Sequence, residues 1–402
     1  MTSGQKTPRV AAVIGAGFGD EGKGRTVDAL AAERPGALVV RINGGAQAGH
    51  SVVAPDGRRH VFSHVPAGAL ADRRGHLSRH FTANPLLLDK EMAELQAIGV
   101  SPDVSISPAS PVTTPYDMLI NQIAEAARGG NRHGSCGVGY GETQERHERG
   151  VSPITAADLE AADLPDRLRA IRTQWVPRRL AEIGAEDTAR DWRDLLSDDG
   201  LIEAFVASAR RLRARLTLRP DADLAGEDDL ILEGAQGLLL DQDLGWFPHV
   251  TRSYTGLPNA AALARDVGAS ALAAVYVTRP YLTRHGAGPL PGAYPGRPYA
   301  GICDPTNRPN PHQGHLRFAP LDTELLSRVL ARDLARAPGL AVDPELAVTC
   351  LDQVPDTLEV IHAGIRTRVR RDALGDALED ATGMPVARTF AAPGRAPQTQ
   401  TA

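Results

Sequence analysis

The glycine-rich segment at residues 17–24, read Gly-Phe-Gly-Asp-Glu-Gly-Lys-Gly, constrains this chain more than any other. It follows an apolar run at residues 10–14 and has the spacing G-x-x-x-x-G-K of a loop that holds phosphate between a strand and a helix. Glycines let the backbone N–H groups of such a loop turn toward anionic oxygens, and Lys23 adds a positive charge. Gly24 stands where a Ser or Thr would bind Mg²⁺, so Asp20 is the expected metal ligand.

A glycine-rich surface turn that happens to precede a helix is the simpler alternative for this segment. The flanking residues favour the phosphate loop, because Thr26, Val27 and Leu30 continue at roughly helical spacing. The dinucleotide-binding pattern G-x-G-x-x-G fits poorly, since Asp20 occupies the position of its third glycine.

Short apolar runs separated by loops predict an α/β fold, P-loop-like, with a mostly parallel central sheet and helices on both faces. A strand at residues 10–14, a helix at 23–33 and a strand at 38–42 form a strand–helix–strand unit. Further buried strands are expected at residues 230–232, 271–277 and 346–350. Ligands of open α/β sheets bind beyond the carboxyl ends of the strands, so the loops there form the candidate site.

The length of the chain allows one elaborated domain, residues 1–402. Residues 158–215 have helical periodicity and predict a helical insertion. Residues 284–321 are rich in Pro and Gly and are too long for a plain connector, which predicts a long active-site loop.

Charge and cysteine content exclude several classes of protein. A net charge of −5 gives no electrostatic reason to expect a nucleic-acid partner. Three cysteines, far apart in the sequence, indicate a reducing compartment. No stretch is apolar and long enough to span a membrane, and the first eight residues have no apolar signal core, so we expect a cytoplasmic protein.

Several polar turns after predicted strands are candidate ligand sites. The turn at residues 43–50 contains Gln47 and His50, and imidazole can donate to a phosphate oxygen. The turn at residues 233–237 contains Gln236, and Thr251 follows fifteen residues later; both are neutral hydrogen-bonding groups suited to a nucleobase or a phosphate. A lone histidine is often structural, and the Glu-Gly of the second turn is equally consistent with a simple bend.

Two further turns carry weaker signals. The segment at residues 133–139 contains Ser135 and is either an anion-binding nest or an ordinary surface loop. Its Cys136 lacks the His and Asn pattern of a thiol nucleophile. Asp352 could accept hydrogen bonds from guanine, or it could cap the turn that follows it.

Together these segments resemble the adenylosuccinate synthetase family. The matching motifs keep the family's order along nearly the whole chain: Gly-Asp-Glu-Gly-Lys-Gly at residues 19–24, Ala-Gly-His at 48–50, Glu-Gly-Ala-Gln-Gly at 233–237, Val-Thr at 250–251, Thr-Arg-x-Gly-x-Gly-Pro at 283–289 and Gly-x-Pro at 383–385.

The resemblance implies a carbon–nitrogen ligase. A nucleoside triphosphate would phosphorylate the 6-oxygen of a purine nucleoside monophosphate, and the amine of L-aspartate would then displace the phosphate. Asp20 would remove the N1 proton, His50 would donate to the transferring phosphoryl group, and Lys23 would add charge. Mg²⁺ would be held by Asp20 and the carbonyl of Gly49. Most of the rate gain would come from positioning and charge stabilisation.

The same resemblance implies the remaining site residues and a homodimer. Aspartate would be bound by Thr306, Arg308 and Arg317. Arg149 is the nearest candidate for an arginine that crosses to the partner's nucleotide phosphate, although strict counting puts Glu148 there. The nucleotide-binding residues would be Gly19, Glu21, Gly22, Gly24, Gln47, Ser135, Arg149, Gln236, Thr251, Arg284, Asp352 and Ala392.

Departures from the family pattern cluster at specificity positions. Gly17 and Phe18 replace Gln-Trp, Gln47 replaces asparagine, and Cys350 replaces the lysine of a Thr-Lys-Leu-Asp motif. The amino-acid loop carries two arginines, Arg308 and Arg317, in place of a longer run. GTP is therefore the favoured triphosphate, with ATP or dATP as alternatives, and the amino donor is open.

The core motifs match the family while the specificity positions differ, which is typical of a divergent paralogue. The segments at residues 134–137 and 310–314 resemble the phage-type branch that makes 2-aminoadenylosuccinate from GMP or dGMP. That branch often has serine at the catalytic aspartate, so the presence of Asp20 favours a reaction on an IMP-type 6-oxopurine nucleotide. The alternatives are a tailoring enzyme for a modified purine nucleotide, a general P-loop phosphotransferase and, from another class, a non-catalytic nucleotide-binding regulator.

Overall fold

The computed structural model describes residues 7–131, 134–303 and 315–394. Within these ranges the strands are β1 (Arg9–Gly15), β2 (Leu38–Arg41), β3 (His50–Val53), β4 (Arg59–Phe62), β5 (Gly75–Leu77), β6 (Val104–Ile106), β7 (Thr217–Leu218), β8 (Asp229–Gly237), β9 (Ala271–Thr278), β10 (Tyr281–Arg284), β11 (Arg317–Asp322), β12 (Ala341–Val348), β13 (Thr357–His362), β14 (Ile365–Arg370) and β15 (Val386–Thr389). The α-helices are α1 (Lys23–Glu33), α2 (Pro85–Ala97), α3 (Pro115–Arg128), α4 (Tyr140–Glu148), α5 (Leu164–Ala170), α6 (Val176–Glu182), α7 (Glu186–Ala189), α8 (Arg193–Ser197), α9 (Gly200–Arg213), α10 (Leu257–Asp266), α11 (Thr323–Leu334) and α12 (Leu374–Thr382).

The central sheet has the strand order β15-β12-β9-β1-β8-β2-β5-β6-β7, and all its neighbouring strands run parallel. This confirms the predicted α/β class. The predicted unit β1–α1–β2 is present, but β1 and β2 are not neighbours. β8 lies between them, and Leu230 pairs with Val10 on one side and with Leu38 on the other. The loops that follow β1, β8 and β2 therefore meet at one edge of the sheet.

Both faces of the sheet are buried because alternate side chains of a strand point in opposite directions. In β1, Val10, Ala12 and Ile14 pack on one face, together with apolar residues of α10, α11 and α12. Val13 packs on the opposite face, together with apolar residues of α1, α2 and α9. Helices thus cover both faces, as expected for a parallel sheet.

The predicted helical insertion corresponds to helices that begin at Ala156 and end at Arg213. They enclose a separate apolar cluster with the inner face of α3, in which Trp175 and Phe205 are completely buried. The prediction of one domain over residues 1–402 stays a prediction.

Several predicted elements have different bounds in the structure, and two of them border the loops that are described below. β12 ends at Val348, and Cys350 adopts a left-handed backbone with φ of 60°, so residues 349–350 are not strand. The chain turns there because Thr349 Oγ1 donates to the carbonyl of Glu21 at 2.5 Å. The predicted long loop at residues 284–321 begins with the last residue of β10 and overlaps β11 at its end. Among the described residues, no helix combines the length and the apolar composition that a membrane crossing requires.

Candidate active site

A cleft of about 650 Å³ opens at the carboxyl ends of β1, β2 and β8 and is lined by the loops that follow them. Its cationic side chains outnumber its carboxylates, although the whole chain has a net charge of −5. Lys23, Arg128 and Arg252 are paired with carboxylates, and the other four cationic side chains suit a polyanionic ligand. The cationic residues that line the cleft are Lys23, Arg25, Arg59, Arg128, Arg252, Arg279 and Arg284, and the acidic ones are Asp20, Glu125 and Asp352.

The glycine loop, residues 15–22, is folded around its own carboxylate. Glu21 Oε1 accepts hydrogen bonds from the backbone N–H of Gly17 at 3.0 Å and of Gly19 at 2.7 Å. Glu21 Oε2 accepts from Lys23 Nζ at 2.7 Å, and both side chains of this ion pair are buried. The N–H groups of Gly17 and Gly19 turn inward onto Glu21 in this structure, and the binding of phosphate by the loop stays a prediction.

Asp20 extends from this loop into the cleft, where it meets His285. Asp20 has a left-handed backbone with φ of 61°, which Asp tolerates better than most residues. Its Oδ2 lies 2.9 Å from His285 Nε2, and each of the two side chains is 26% exposed. Burial raises the pKa of Asp20, but His285, Arg279 and Lys23 outweigh burial and lower this pKa to about 2. Asp20 is therefore ionised at neutral pH.

His285 is a site residue that the sequence analysis missed. It occupies the variable position of the matched motif Thr-Arg-x-Gly-x-Gly-Pro, directly after Arg284. A titratable side chain at that position, between a matched arginine and a matched glycine, is the signal that could have identified it.

His50, the first residue of β3, lies over a buried charge pair. Its Nδ1 is 2.5 Å from Glu233 Oε1, so the imidazole donates from Nδ1 to the carboxylate. The other carboxylate oxygen of Glu233 accepts from the backbone N–H of Ala67 at 2.9 Å. Arg41 Nη1 lies 3.9 Å from Glu233 Oε1, and both side chains are fully buried. Burial lowers the pKa of His50 despite the contact with Glu233, so the imidazole is neutral with its proton on Nδ1.

Gly24 has a steric role at this point. A Cβ at position 24 would lie 2.7 Å from His50 Cβ and 3.2 Å from His50 Cα. Serine or threonine, the usual residue of a phosphate loop here, would displace His50. The absence of a Cβ therefore lets the start of β3 approach the first turn of α1.

Two glutamine side chains enter the cleft with polar atoms that are unused within the described part of the chain. Both amide atoms of Gln47 and Oε1 of Gln236 are buried without a hydrogen-bond partner there. Buried polar groups normally have partners, so these amides point to a polar ligand. Asn43 holds the two turns together, because its amide accepts from Ala235 N at 2.6 Å and donates to Ala235 O at 3.0 Å.

Other predicted residues also line the cleft. Ser135 donates to Asn121 Oδ1 at 2.8 Å, which fixes the turn after α3. Thr251 is held by its backbone N–H, which donates to the carbonyl of Leu240 at 2.7 Å. Asp352 and Gly49 are exposed at the edge of the cleft. Gly19, Gly22 and Lys23 line it too, whereas the carboxylate of Glu21 is turned into the loop.

Arg284 belongs to the wall of the cleft, at the end of β10. Its guanidinium donates to the carbonyls of Pro289 at 2.7 Å and His249 at 2.9 Å and lies over the ring of Phe18, 4.5 Å from the centroid. Phe18 stacks in turn on Trp246, with 5.7 Å between ring centroids. Burial, together with the charge of Arg317, lowers the pKa of Arg284 to about 10.

Arg317 has a different environment from the one expected of an aspartate ligand. Its Nη2 donates to the carbonyl of Gly286 at 2.7 Å and to that of Gly288 at 2.8 Å. Arg317 is not among the described residues that line the cleft. In this structure the guanidinium clamps the loop after β10, and a role for Arg317 in binding aspartate stays a prediction.

Four other expected residues lie away from the cleft or outside the described residues. Arg149 forms ion pairs with Glu145 at 2.5 Å and Glu182 at 2.7 Å and lies over the ring of Trp175. A role for Arg149 in a partner's cleft stays a prediction, and it would require these contacts to break. Ala392 is not among the described residues that line the cleft, but the next residue, Pro393, is. Thr306 and Arg308 lie outside the described residues.

All three cysteines of the chain line this cleft, although they are far apart in the sequence: Cys136, Cys303 and Cys350. Burial raises the pKa of the Cys136 thiol. A protonated thiol is a poor nucleophile, so the environment of Cys136 does not favour a catalytic role.

The oxygen donors of the cleft suit a hard cation. Across residues 7–131, 134–303 and 315–394, no group of three His, Cys, Asp or Glu side chains is arranged to hold a metal ion. Mg²⁺ is usually bound by one or two carboxylates and by substrate phosphates, with water completing its shell. The carboxylate of Asp20 and the carbonyl of Gly49, on one cleft, fit that kind of site.

Comparison with known proteins identifies the family. The family model described as adenylosuccinate synthetase matches residues 12–299. The chain is 35% identical over 302 residues to the adenylosuccinate synthetase of Xanthomonas campestris, which covers 73% of this chain and 67% of that protein. It is 32% identical over 364 residues to that of Microcystis aeruginosa, covering 87% and 75%.

Two solved structures share the fold. The fully ligated adenylosuccinate synthetase of Plasmodium falciparum has a TM-score of 0.74 at 18% identity and covers 96% of this chain and 98% of that one. The succinoaminodeoxyadenylate synthetase of cyanophage S-2L, bound to dGMP and to dATP as an energy donor, has a TM-score of 0.64 at 16% identity and covers 98% and 96%. From the extent of the family match and from the curated relatives, this chain belongs to the adenylosuccinate synthetase family, a family of carbon–nitrogen ligases.

Proposed function

We propose that this protein joins L-aspartate to C6 of a 6-oxopurine nucleotide, with hydrolysis of a nucleoside triphosphate and through a 6-phosphoryl intermediate. The observation that carries this proposal is that Asp20 and His50, from loops that follow different strands, line the same cleft. The chemical difficulty of the reaction is that the amide-like oxygen at C6 is a poor leaving group. Phosphorylation of that oxygen converts it into a good one.

Asp20 is the proposed base that takes the N1 proton of the purine. Its carboxylate is ionised and partly exposed in the cleft, so it can accept a proton from a bound base. A carboxylate with a low pKa is a weak base, and the hydrogen bond from His285 is one cause of the low pKa of Asp20. Loss of the N1 proton shifts negative charge onto O6, and the attack of O6 on the γ-phosphate then removes that charge. Asp20 therefore does not need to bind the proton tightly.

His50 is the proposed partner of the transferring phosphoryl group. Glu233 accepts a hydrogen bond from Nδ1–H, which leaves Nε2 for a ligand. The imidazole is neutral without ligand, because burial lowers the pKa of His50. An arriving phosphoryl dianion favours protonation of Nε2 from solvent, and the ionised Glu233 stabilises the resulting imidazolium. His50 then donates from Nε2 to the phosphoryl oxygen.

The two unused glutamine amides supply the proposed purine contacts. Gln47 and Gln236 offer buried donors and acceptors, and Thr251 lines the same cleft. Asp352 at the edge of the cleft is the proposed reader of the triphosphate base. A carboxylate accepts from the N1–H and the 2-amino group of guanine, which favours GTP over ATP and dATP.

Mg²⁺ is the proposed metal, held by the carboxylate of Asp20 and the carbonyl of Gly49. When bound, it would neutralise charge on the phosphate oxygens during transfer. The chain's own contribution is to present those two oxygens on the cleft that contains Lys23 and His50.

A substrate matrix tests the proposal. The protein is incubated with Mg²⁺ and aspartate, crossing IMP, GMP and dGMP with GTP, ATP and dATP, while phosphate release and the mass of the nucleotide product are measured. We expect an aspartate adduct of IMP with GTP as the best donor. An adduct of GMP or dGMP alone would assign the protein to the chemistry of the phage-type branch. Phosphate release without any adduct, or no reaction in any combination, would contradict the ligase for these substrates.

The protein is further proposed to act as a homodimer, in which Arg149 reaches the partner's nucleotide. Mixing an Arg149→Ala protein with an inactive Asp20→Ala protein tests this. Hybrid dimers would retain one cleft with an intact Asp20 and a partner with an intact Arg149, so activity should exceed that of either variant alone. Additive residual activities would contradict the crossing arginine.

A further inference from the structure

We propose that His285 is a positioning residue for Asp20: by donating from Nε2 to Oδ2, it holds the carboxylate of Asp20 in its reactive orientation. This inference rests on the proposed function, in which Asp20 takes a proton from the purine. It assigns a role to a side chain that lies at a variable position of the matched motif.

The contact joins two separate walls of the cleft. Asp20 lies in the glycine loop after β1, whereas His285 is the first residue after β10. The two atoms are 2.9 Å apart, which is hydrogen-bond distance. An ionised carboxylate can only accept, so the imidazole is the donor.

The backbone at Asp20 is fixed by hydrogen bonds within the glycine loop, whereas the orientation of its carboxylate is set in the cleft. The backbone of the glycine loop is already fixed, since Gly17 and Gly19 donate to Glu21 and Thr349 donates to the carbonyl of Glu21. These contacts leave the rotation of the Asp20 side chain to be set in the cleft, where the group is a quarter exposed. A hydrogen bond from the opposite wall removes that freedom.

His285 stands on a rigid support. The residue before it, Arg284, is buried and donates to the carbonyls of Pro289 and His249. The residue after it, Gly286, accepts through its carbonyl from Arg317. With the chain clamped on both sides, the imidazole is a fixed reference point for Asp20. Arg317 thus contributes to the site by fixing the loop that carries His285.

A matched pair of substitutions separates positioning from packing. His285→Gln places an amide nitrogen the same number of bonds from Cβ as Nε2 of histidine and keeps the donor. His285→Leu fills similar space and has no donor. His362→Leu is the control, because His362 is exposed on β13 and lies outside the described lining of the cleft. kcat, KM for each substrate, triphosphate binding and thermal unfolding are measured for all three.

We expect His285→Leu to lower kcat by about 10- to 100-fold, the usual cost of a misplaced reacting group, with little change in triphosphate binding. His285→Gln should recover most of that loss, and His362→Leu should match wild type. In an Asp20→Asn background, the Leu substitution should have no further effect, since both changes act on the same step.

Three results would overturn the inference while leaving the ligase in place: wild-type kcat in His285→Leu, an equal loss in His285→Gln, or an undiminished effect in the Asp20→Asn background. If His285→Leu unfolds, a large fall of kcat in His285→Gln would still contradict the inference, because that variant keeps the donor. A wild-type protein that forms no adduct contradicts the proposed function, and the inference falls with it.

Discussion

The imidazole of His50 and the carboxylate of Glu233 meet at 2.5 Å beneath the cleft, although 183 residues separate them in the sequence. The pairing follows from the sheet. β8 lies beside β2, and Arg41, the last residue of β2, pairs in register with Glu233. The side chain of Glu233 thus faces the turn that leads into β3 and His50.

Glu233→Gln should lower kcat by about 10²-fold or more, the range typical of general acid–base groups, and leave triphosphate binding measurable. The amide oxygen can still accept from Nδ1, but it lacks the charge that stabilises an imidazolium. Steady-state kinetics and a direct binding titration give the two quantities. A kcat close to wild type would contradict the role of the pair in phosphoryl transfer.

Gly24→Ser, which restores the usual residue of a phosphate loop, should abolish turnover instead of improving Mg²⁺ binding. The new Cβ would lie 2.7 Å from His50 Cβ, so His50 must move. Gly24→Ala is the matched control and should be equally inactive, because the Cβ causes the clash. A Ser variant clearly more active than the Ala variant would mean that the hydroxyl binds the metal.

Lys23→Met should destabilise the fold by about 3–5 kcal/mol, because it leaves the buried carboxylate of Glu21 without its cation. The double variant Glu21→Gln/Lys23→Met should be less destabilised than Lys23→Met alone. Urea unfolding measures both. Lys90→Met is the control, since Lys90 and Glu94 form an exposed pair whose loss should cost about 0–1 kcal/mol. Equal effects at positions 23 and 90 would contradict a structural role for Lys23.

Because of Asp333, the free energy of unfolding should fall as the pH rises from about 4 to 6. Burial raises the pKa of this fully buried carboxyl from 3.8 to about 6, so in that window the folded state binds a proton that the unfolded state lacks. The contribution is present below pH 4 and lost above pH 6.

Asp333→Asn tests this contribution. Its amide oxygen can still accept from Leu257 N and the Tyr276 hydroxyl. The free energy of unfolding of the variant minus that of wild type should be about 3 kcal/mol larger at pH 7 than at pH 4, because wild type alone loses stability over this range and each pKa unit corresponds to about 1.4 kcal/mol. A difference independent of pH would show that Asp333 does not titrate in this window.

Local sequence patterns determined much of the chain's architecture. The apolar run, the glycines and the amphipathic segment over residues 9–33 specify a strand, a turn and a helix without help from distant residues, and β1 and α1 are found where the pattern predicts them. Rare motifs in a preserved order were sufficient to recognise the family, which the family match confirms. The continuous apolar runs of the predicted strands also indicate a sheet that is covered on both faces.

The strand order was beyond reach of the sequence, because apolar runs of similar composition do not specify which neighbours they pair with. Only the tertiary structure inserts β8 between β1 and β2, and this insertion brings Glu233 under His50. Likewise, only the fold brings His285 Nε2 within 2.9 Å of Asp20 Oδ2 and lets Arg317 donate to backbone carbonyls of the loop after β10. A motif specifies which chemical groups are available. Which groups they contact depends on long-range packing, and here those contacts set the charge and orientation of the candidate catalytic side chains.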